Sequence, residues 1–403
     1  MFLITIWGFS PIQIAIILLL LLLFIVELIY LFVLYNSASR YAHRAQEGNV
    51  KYLTDLPPVS VVVYAHDAES EGLLELLPAL LAQKYPNFEV IVVNDGTSFE
   101  VQNAIALYEC EHNNVYQTAV PETVYNVSRK KLGITLGIKA AKHDIIVLAE
   151  ANSKPSTDGW LAAIARNFVP SVDIVLGYTR MMPKDGVQKG GFKAFNRMLF
   201  SLRYLAFAVL RKPYMGMGSN LAYRKSIFFA NKGFSATLNL HFGDDDLLVN
   251  EMANGRNTRV ELSQESIVES FYDDVSGAWN ELRLRYNFTS QYLHTSSRMI
   301  FVIEGFVHFL LCGSIVALVA ILLPDVSVGK ISQIVALAVA TLLVVLCWLM
   351  EWYVYRKAAR IFGERIMPGL VPLYQVFRPF YLLYRSMCDK GSKKSNFTWQ
   401  YLR

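Results

Sequence analysis

Three stretches of this chain stay apolar for longer than a helix inside a globular domain requires. Residues 12–35 are interrupted only by Gln13 and Glu27, residues 299–323 only by Glu304, His308 and Ser314, and residues 334–355 carry Glu351 as their one charge. Each covers the ~20 residues that a helix needs to cross a bilayer. Backbone amides find no water in hydrocarbon, so each stretch is expected to pair them internally as a helix. Between the first two stretches the pattern changes. The runs SVVVY at 60–64 and EVIVV at 89–93 read as strands buried on both faces, followed by shorter strands at 115–119 and 144–148. Residues 69–84, 98–111 and 130–142 have helical spacing and separate them. Strands alternating with helices predict a doubly wound α/β sheet, whose ligands bind at the carboxyl ends of its strands. The polar residues there are His66-Asp67, Asn94-Asp95 and Glu150-Ala151-Asn152.

Two further stretches mix aromatic, aliphatic and basic positions. They are 195–214, with Arg197, Arg203 and Arg211, and 366–387, interrupted by Pro368 and Pro379. Both are expected to lie as amphipathic helices in the membrane interface; the competing reading of the first is a core helix of the domain. The chain then divides into an N-terminal anchor (1–36), a soluble domain (37–298), two further spans (299–356) and an amphipathic, basic C-terminal segment (357–403). The basic stretch 390–394 is expected to be loose.

Composition adds little to this picture, but charge placement adds a direction. The chain is 54% hydrophobic, above the ~45–50% of soluble proteins, and the excess sits in the three spans. Arg40, Arg44 and Lys51 follow the first span, Arg283, Arg285 and Arg298 precede the second, and Arg356, Lys357, Arg360 and Arg365 follow the third. The link at 324–333 holds one Lys330 against one Asp325. Basic flanks face the cytosol, so the N-terminus is expected outside the inner (plasma) membrane, with the domain and the C-terminus inside. The first 11 residues carry no charge, and the apolar stretch exceeds the ~7–15 residues of a signal-peptide core. It is therefore read as a retained anchor. The net charge of +5 suits anionic lipid and is equally ordinary for this length; no nucleic-acid partner is expected. The four cysteines form no CxxC pair or Cys/His cluster, as for a domain with reduced thiols.

The run LAQKYPNFEVIVVNDG at 81–96 resembles the start of a family 2 glycosyltransferase domain, as found in membrane-bound bacterial members. The resemblance extends over about residues 57–298 and rests on several motifs in the family's order. It implies a GT-A fold, a mainly parallel sheet with helices on both faces. It also implies inverting transfer of a sugar from a nucleotide-diphosphate donor. Asp95 matches the family's nucleotide-binding Asp, with Asn94 and Asp67 beside it; on spacing alone Asn-Asp-Gly is a turn former. Lys130, in SRKKLGITLG, matches the Lys of a donor-binding segment; unaided, it reads equally as a solvated basic turn. Glu150 and Asn152, in LAEANSKP, stand where the family carries the two aspartates that hold Mg²⁺ or Mn²⁺. Gly218, Ser219 and Asn220, in GMGSNLAYR, match the acceptor side. In FGDDDLL, Asp245 matches the general base, next to Asp244. A carboxylate flanked by carboxylates has the raised pKa that role needs, and three aspartates in a row also suit a helix start. In WNELRLRY, Arg285 matches an Arg that faces the diphosphate.

The resemblance thus implies a membrane-bound enzyme that moves a sugar from a UDP- or GDP-sugar to a lipid-linked or cell-surface glycan acceptor. Membrane lipids are its surroundings, and partner subunits are expected if it builds long polymers, since three spans are few for a polysaccharide channel. The alternative is a catalytically degenerate member that binds nucleotide or a partner within a glycan-assembly complex, motivated by Glu150, Asn152 and Leu282, the last standing where the family's QxxRW-like motif carries Gln. A channel or transporter is the weakest reading, because the intramembrane charges Glu27, Glu304 and Glu351 are few.

Overall fold

The computed structural model of the chain describes residues 9–66, 70–122, 127–188, 190–293, 295–327 and 330–389. Helix α1 (Pro11–Ile29) starts in a capping box. Ser10 Oγ accepts the Gln13 N–H at 3.3 Å, and Gln13 Oε1 accepts the Ser10 N–H at 2.8 Å, which satisfies two of the donors a helix start leaves open. It passes through a π-helical segment, Tyr30–Tyr35, into α2 (Asn36–Gln46). Strands and helices then alternate as β1 (Val59–His66), α3 (Ser70–Leu81), β2 (Phe88–Asp95), α4 (Phe99–Glu111), β3 (Val115–Ala119), α5 (Arg129–Ala140) and β4 (Ile145–Glu150). Next come β5 (Ser153–Pro155), α6 (Trp160–Ala165), β6 (Ile174–Leu176), β7 (Thr179–Pro183), α7 (Phe192–Val209), β8 (Leu221–Arg224) and α8 (Lys225–Ala230). The chain continues through α9 (Asp246–Met252), β9 (Thr258–Val260), β10 (Val268–Tyr272), α10 (Val275–Thr289), α11 (Thr295–Ser327), α12 (Ile331–Phe362) and α13 (Val371–Asp389).

The main sheet has seven strands in the order β3-β2-β1-β4-β8-β6-β9. Its neighbours run parallel except β8, which is antiparallel to both β4 and β6. A second sheet, β5-β10-β7, stands beside the end of β4. Along β1 the side chains alternate between two cores, as the two-residue period of a strand dictates. Val62 packs with Ile91, Val93, Ile134 and Ile138, while Val61 and Val63 pack with Leu73, Leu77 and Trp160. Register sets Tyr64 opposite Glu150 and His66 opposite Asp95, so the polar strand ends share one edge. Helix α5 lies close against that sheet because it is small where it touches. A Cβ on Gly137 would come within 2.5 Å of Val62 Cγ1 and 2.8 Å of Val93 Cγ2.

Among the described residues, three helices are long and apolar enough to cross a membrane: the continuous helix at Pro11–Gln46, α11 within Phe306–Pro324, and α12. Leu20 of α1 packs with Leu318 and Leu322 of α11 and Ala340 of α12. The stretch at 195–214 corrects one expectation. Helix α7 is buried along most of its length, including Phe195, Met198, Leu199, Leu202, Leu205 and Phe207, so it is a core helix and not an exposed interfacial one. Its arginine explains the misreading. Arg203 is amphipathic in sequence, but its guanidinium points at Glu304 of α11, 2.6 Å from Oε2 and 2.7 Å from Oε1. Glu304 also accepts from Tyr35 and from Arg378 of α13 at 3.4 Å, which ties the domain to the spans. Helix α13 does present an apolar exposed face, with Leu373, Phe377, Phe380 and Leu383, as an interfacial helix requires. The basic stretch at 390–394 lies outside the described residues.

Candidate active site

Two strand ends, the start of α5 and two loops converge on a small cavity of ≈ 20 Å³ lined by Tyr64, Lys130, Glu150, Gly218 and Asp244, over an apolar floor that includes Val62 and Ile134. Lys130 sits in the first turn of α5, whose start is set by Ser128; its Oγ accepts the Lys131 N–H at 3.4 Å. From there Lys130 Nζ reaches Glu150 Oε1 at 2.8 Å and Asp244 Oδ2 at 2.9 Å. Burial alone would pull its pKa down, but Asp244 and Glu150 outweigh that and hold the ammonium well above its usual range. The same contact holds Asp244 low against the pull of its burial.

Asp245, the neighbour, goes the other way. Burial and then the Asp244 charge push its carboxyl up to about 6, with the hydrogen bond from Tyr286 opposing them. Its Oδ2 accepts from the Tyr286 hydroxyl at 2.7 Å and the Gly218 N–H at 3.1 Å, and its Oδ1 from the Asp246 N–H at 2.7 Å. The adjacent carboxylates are thus driven apart, one toward the ion pair and one toward neutrality. Asp246 is buried and capped by the Thr289 hydroxyl, and it starts α9. Asp245 is itself the N-cap of α9, so the capping and chemical readings of the aspartates meet on one residue.

The other expected residues fall into place unevenly. Asp95 is buried at the end of β2, where Tyr64 and Arg129 bond it, the latter through Nε at 2.8 Å and also through Nη2. Asn94 serves the turn, its Oδ1 accepting the Thr97 N–H at 3.0 Å and the Thr97 hydroxyl at 2.8 Å. Asp67 lies outside the described residues. Gly218 faces the cavity: a Cβ there would stand 3.6 Å from Glu150 Oε1 and 3.8 Å from Asp245 Oδ2. Ser219 and Asn220 turn inward. Ser219 bonds Thr179 at 2.8 Å, and Asn220 Nδ2 donates to the Tyr178 and Ser266 carbonyls, each at 2.8 Å. They fix the backbone that presents Gly218. Asn152 Oδ1 accepts the Ser153 hydroxyl at 3.2 Å. Arg285 stacks over Phe242, 4.7 Å from the ring centroid, and pairs with Glu281 on its own helix. Burial lowers its pKa and Glu281 raises it, for a net rise to which Glu150 and Asp244 also contribute.

Sequence reasoning gave no role to four residues that shape this site. Arg129 grips Asp95. Tyr286, next to the Arg285 that was singled out, makes the direct contact with Asp245. Thr289 caps Asp246. Lys131 is fully buried and donates to the Thr237 and Phe242 carbonyls at 2.7 and 2.8 Å, anchoring the segment that leads to the aspartates. The one signal available was the pair of adjacent lysines at a helix start: consecutive positions on a helix point in different directions, so one could face the sheet edge and the other a loop.

The family profile described as Glycosyltransferase like family 2 matches residues 57–272, more than half of the chain, and the chain belongs to that family. Its fold is the GT-A arrangement, with the mixed sheet described above. Similar solved structures include the mannosyltransferase PcManGT from Pyrobaculum calidifontis in complex with GDP-Man and Mn²⁺. It shares 16% identity over 90% of this chain and 99% of that one, with a TM-score of 0.49. GalNAc-T7 with UDP, GalNAc and Mn²⁺ shares 14% identity over 55% of this chain and 45% of that one, with a TM-score of 0.41. For S. aureus TarS the figures are 17% identity, 56% and 38%, and 0.37. Among curated proteins none matches the chain in sequence.

Proposed function

We propose that the chain is a membrane-bound inverting glycosyltransferase that moves a sugar from a UDP- or GDP-sugar to a lipid-linked or cell-surface glycan acceptor. The observation that carries this reading is Asp245, a carboxyl raised to about 6 and bonded to the N–H of Gly218, which lines the cavity together with Lys130. Asp245 takes the proton of the acceptor hydroxyl. The acceptor oxygen then forms its bond to the anomeric carbon while the bond from that carbon to the diphosphate breaks on the other face. Tyr286 and the Gly218 N–H hold the carboxylate in place. Lys130, with Arg285 behind it, faces the negative charge that the leaving diphosphate gains. Asp95, Asn94 and Asp67 mark the edge where the nucleotide lies, with Arg129 released from Asp95 as it binds. Gly218 leaves room for the acceptor, and Ser219 and Asn220 support it.

The donor set suits a hard divalent cation, Mg²⁺ or Mn²⁺, because the missing side chain of Gly218 leaves a cradle between the carboxylates of Glu150 and Asp245 and such ions take oxygen ligands. Glu150 would hold it together with the donor's own diphosphate, with Asn152 at most a neutral contributor, and it would cancel part of the diphosphate charge. Lys130 already supplies one cation at that place. The division into anchor (1–36), domain (37–298), spans (299–356) and C-terminal segment (357–403), and an inner-membrane topology with the N-terminus outside, complete the proposal; the basic flanks support them. A degenerate, nucleotide-binding partner subunit is the second reading, favoured by Asn152 turning to Ser153 and by Lys130 neutralising Glu150. The two separate in one screen on protein purified in detergent: nucleotide-diphosphate release from UDP- and GDP-sugars, with Mn²⁺ or EDTA, beside Asp245→Asn. Release by the wild type well above the variant supports the enzyme. Equal background release from both, with calorimetric binding of UDP or GDP intact, supports the partner subunit.

A further inference from the structure

The catalytic scheme leaves unused a group of titratable side chains at the crossing of the three membrane helices. Glu27 of α1, His308 of α11 and Glu351 of α12 converge, and one ligand atom from each lies within 4.8 Å of the others. Glu27 Oε1 stands 3.4 Å from His308 Nδ1. Both carboxyl groups are sequestered, Glu27 at 4% and Glu351 at 2% exposure, and the Oε2 atom of each has no hydrogen-bond partner. Two thiols border the group: Cys347 Sγ is 4.0 Å from Glu351 Oε1 and Cys312 Sγ 3.8 Å from His308 Nε2. A cavity of ≈ 40 Å³ opens beside them, lined in part by His308, Cys312, Cys347 and Glu351.

Packing does not explain this arrangement. Apolar side chains would fill the same space without burying carboxyl oxygens that lack partners, which is costly in protein and more so in lipid. We infer that Glu27, His308 and Glu351 form a binding site for a divalent transition-metal ion of the zinc type. Zinc binds imidazole nitrogen and carboxylate oxygen at ~2.0–2.2 Å in a tetrahedron, so adjacent ligand atoms lie about 3.3–3.5 Å apart. The Glu27–His308 separation of 3.4 Å already has that spacing. Charge points the same way: two carboxylates, a neutral imidazole and a dication sum to zero, the state hydrocarbon tolerates best. Imidazole and neighbouring thiols select zinc over Mg²⁺ or Ca²⁺, which prefer all-oxygen sites. Water supplies the fourth ligand, which keeps the site neutral.

The position gives the site a task. Counted at 1.5 Å per residue, the three ligands lie about 24–30 Å from the far ends of their helices, which places them near the domain-side edge of a hydrocarbon core about 30 Å thick. His308 is one helical turn from Glu304, whose partners Arg203 and Arg378 come from α7 and α13. A metal there pins all three spans directly beneath the catalytic domain.

The test is metal content by mass spectrometry on the full chain, purified in detergent from zinc-supplemented cells and washed with a weak chelator. The site predicts about one zinc per chain in the wild type and in Glu150→Gln, and its loss in Glu351→Gln and His308→Asn. Cobalt substituted into the wild type should give the intense visible bands of tetrahedral coordination, which needs no variant to fold. A wild type that holds no zinc and shows no cobalt bands overturns the inference, as does zinc kept by folded Glu351→Gln and His308→Asn. Zinc lost only in Glu150→Gln would assign it to the catalytic cavity and overturn it equally.

Discussion

At the scale of single residues the site is a contest between burial and charge, and its outcome differs for three neighbouring groups. Lys130 keeps its proton because two carboxylates face it, Asp244 stays ionised because Lys130 faces it, and Asp245, where burial and the Asp244 charge outweigh the hydrogen bond from Tyr286 and the charge of Lys130, is pushed up to about 6. A base must be deprotonated to act, so the rate of sugar transfer should fall as pH drops through about 6 and level off above it, which a pH–rate profile at saturating donor will show. Asp245→Asn should cut kcat by about 10²–10⁴-fold, the range of general-base contributions, with donor affinity little changed. Lys130→Met should raise the donor KM about tenfold or more, the loss of a charge-assisted contact worth ~1.5–3 kcal/mol, as steady-state kinetics will measure. How much of this was legible follows from the kind of signal each residue gives. Asp244, Asp245 and Lys130 stand in motifs, and the structure brings Lys130 and Asp244 together with Asp245 beside them. Arg129, Lys131, Tyr286 and Thr289 act through contacts with residues far along the chain, with Lys131 reaching Thr237 and Phe242 and Tyr286 reaching Asp245. No local pattern announces such pairs.

At the scale of elements, the alternation of strand and helix from β1 to β4 was readable because parallel strands buried on both faces leave unbroken β-branched runs. Helix α7 was misread for a physical reason: its arginines among aromatics look like a lipid-facing stripe, yet Arg203 is neutralised by Glu304 inside the molecule. Replacing Glu304 with Ala should therefore lower the melting temperature sharply, since removing one partner of a buried ion pair costs ~3–5 kcal/mol; a thermal-shift assay in detergent reads it. Helix α5 offers a second check in which two effects oppose. Gly137→Ala gains up to ~1 kcal/mol of helix propensity, but its Cβ would meet Val62 Cγ1 at 2.5 Å, and overpacking costs ~1–3 kcal/mol. The clash should win, and the variant should melt below the wild type.

At the scale of the whole molecule, one continuous helix leads into a GT-A domain and two more leave it, with Glu304 as the shared buried anchor of the domain and the spans. The strands of that domain deliver Glu150 and Asp95 to one edge, and the loops before α9 and β8 deliver the aspartates and Gly218 to the same place. The central claim is that this place performs inverting transfer with Asp245 as its base. The most direct test is the anomeric configuration of the product, read by NMR after turnover with a donor that the purified protein accepts. The account predicts a product of configuration opposite to the donor's, formed by the wild type and not by Asp245→Asn. Retained configuration, or product formed by Asp245→Asn at the wild-type rate, would contradict it.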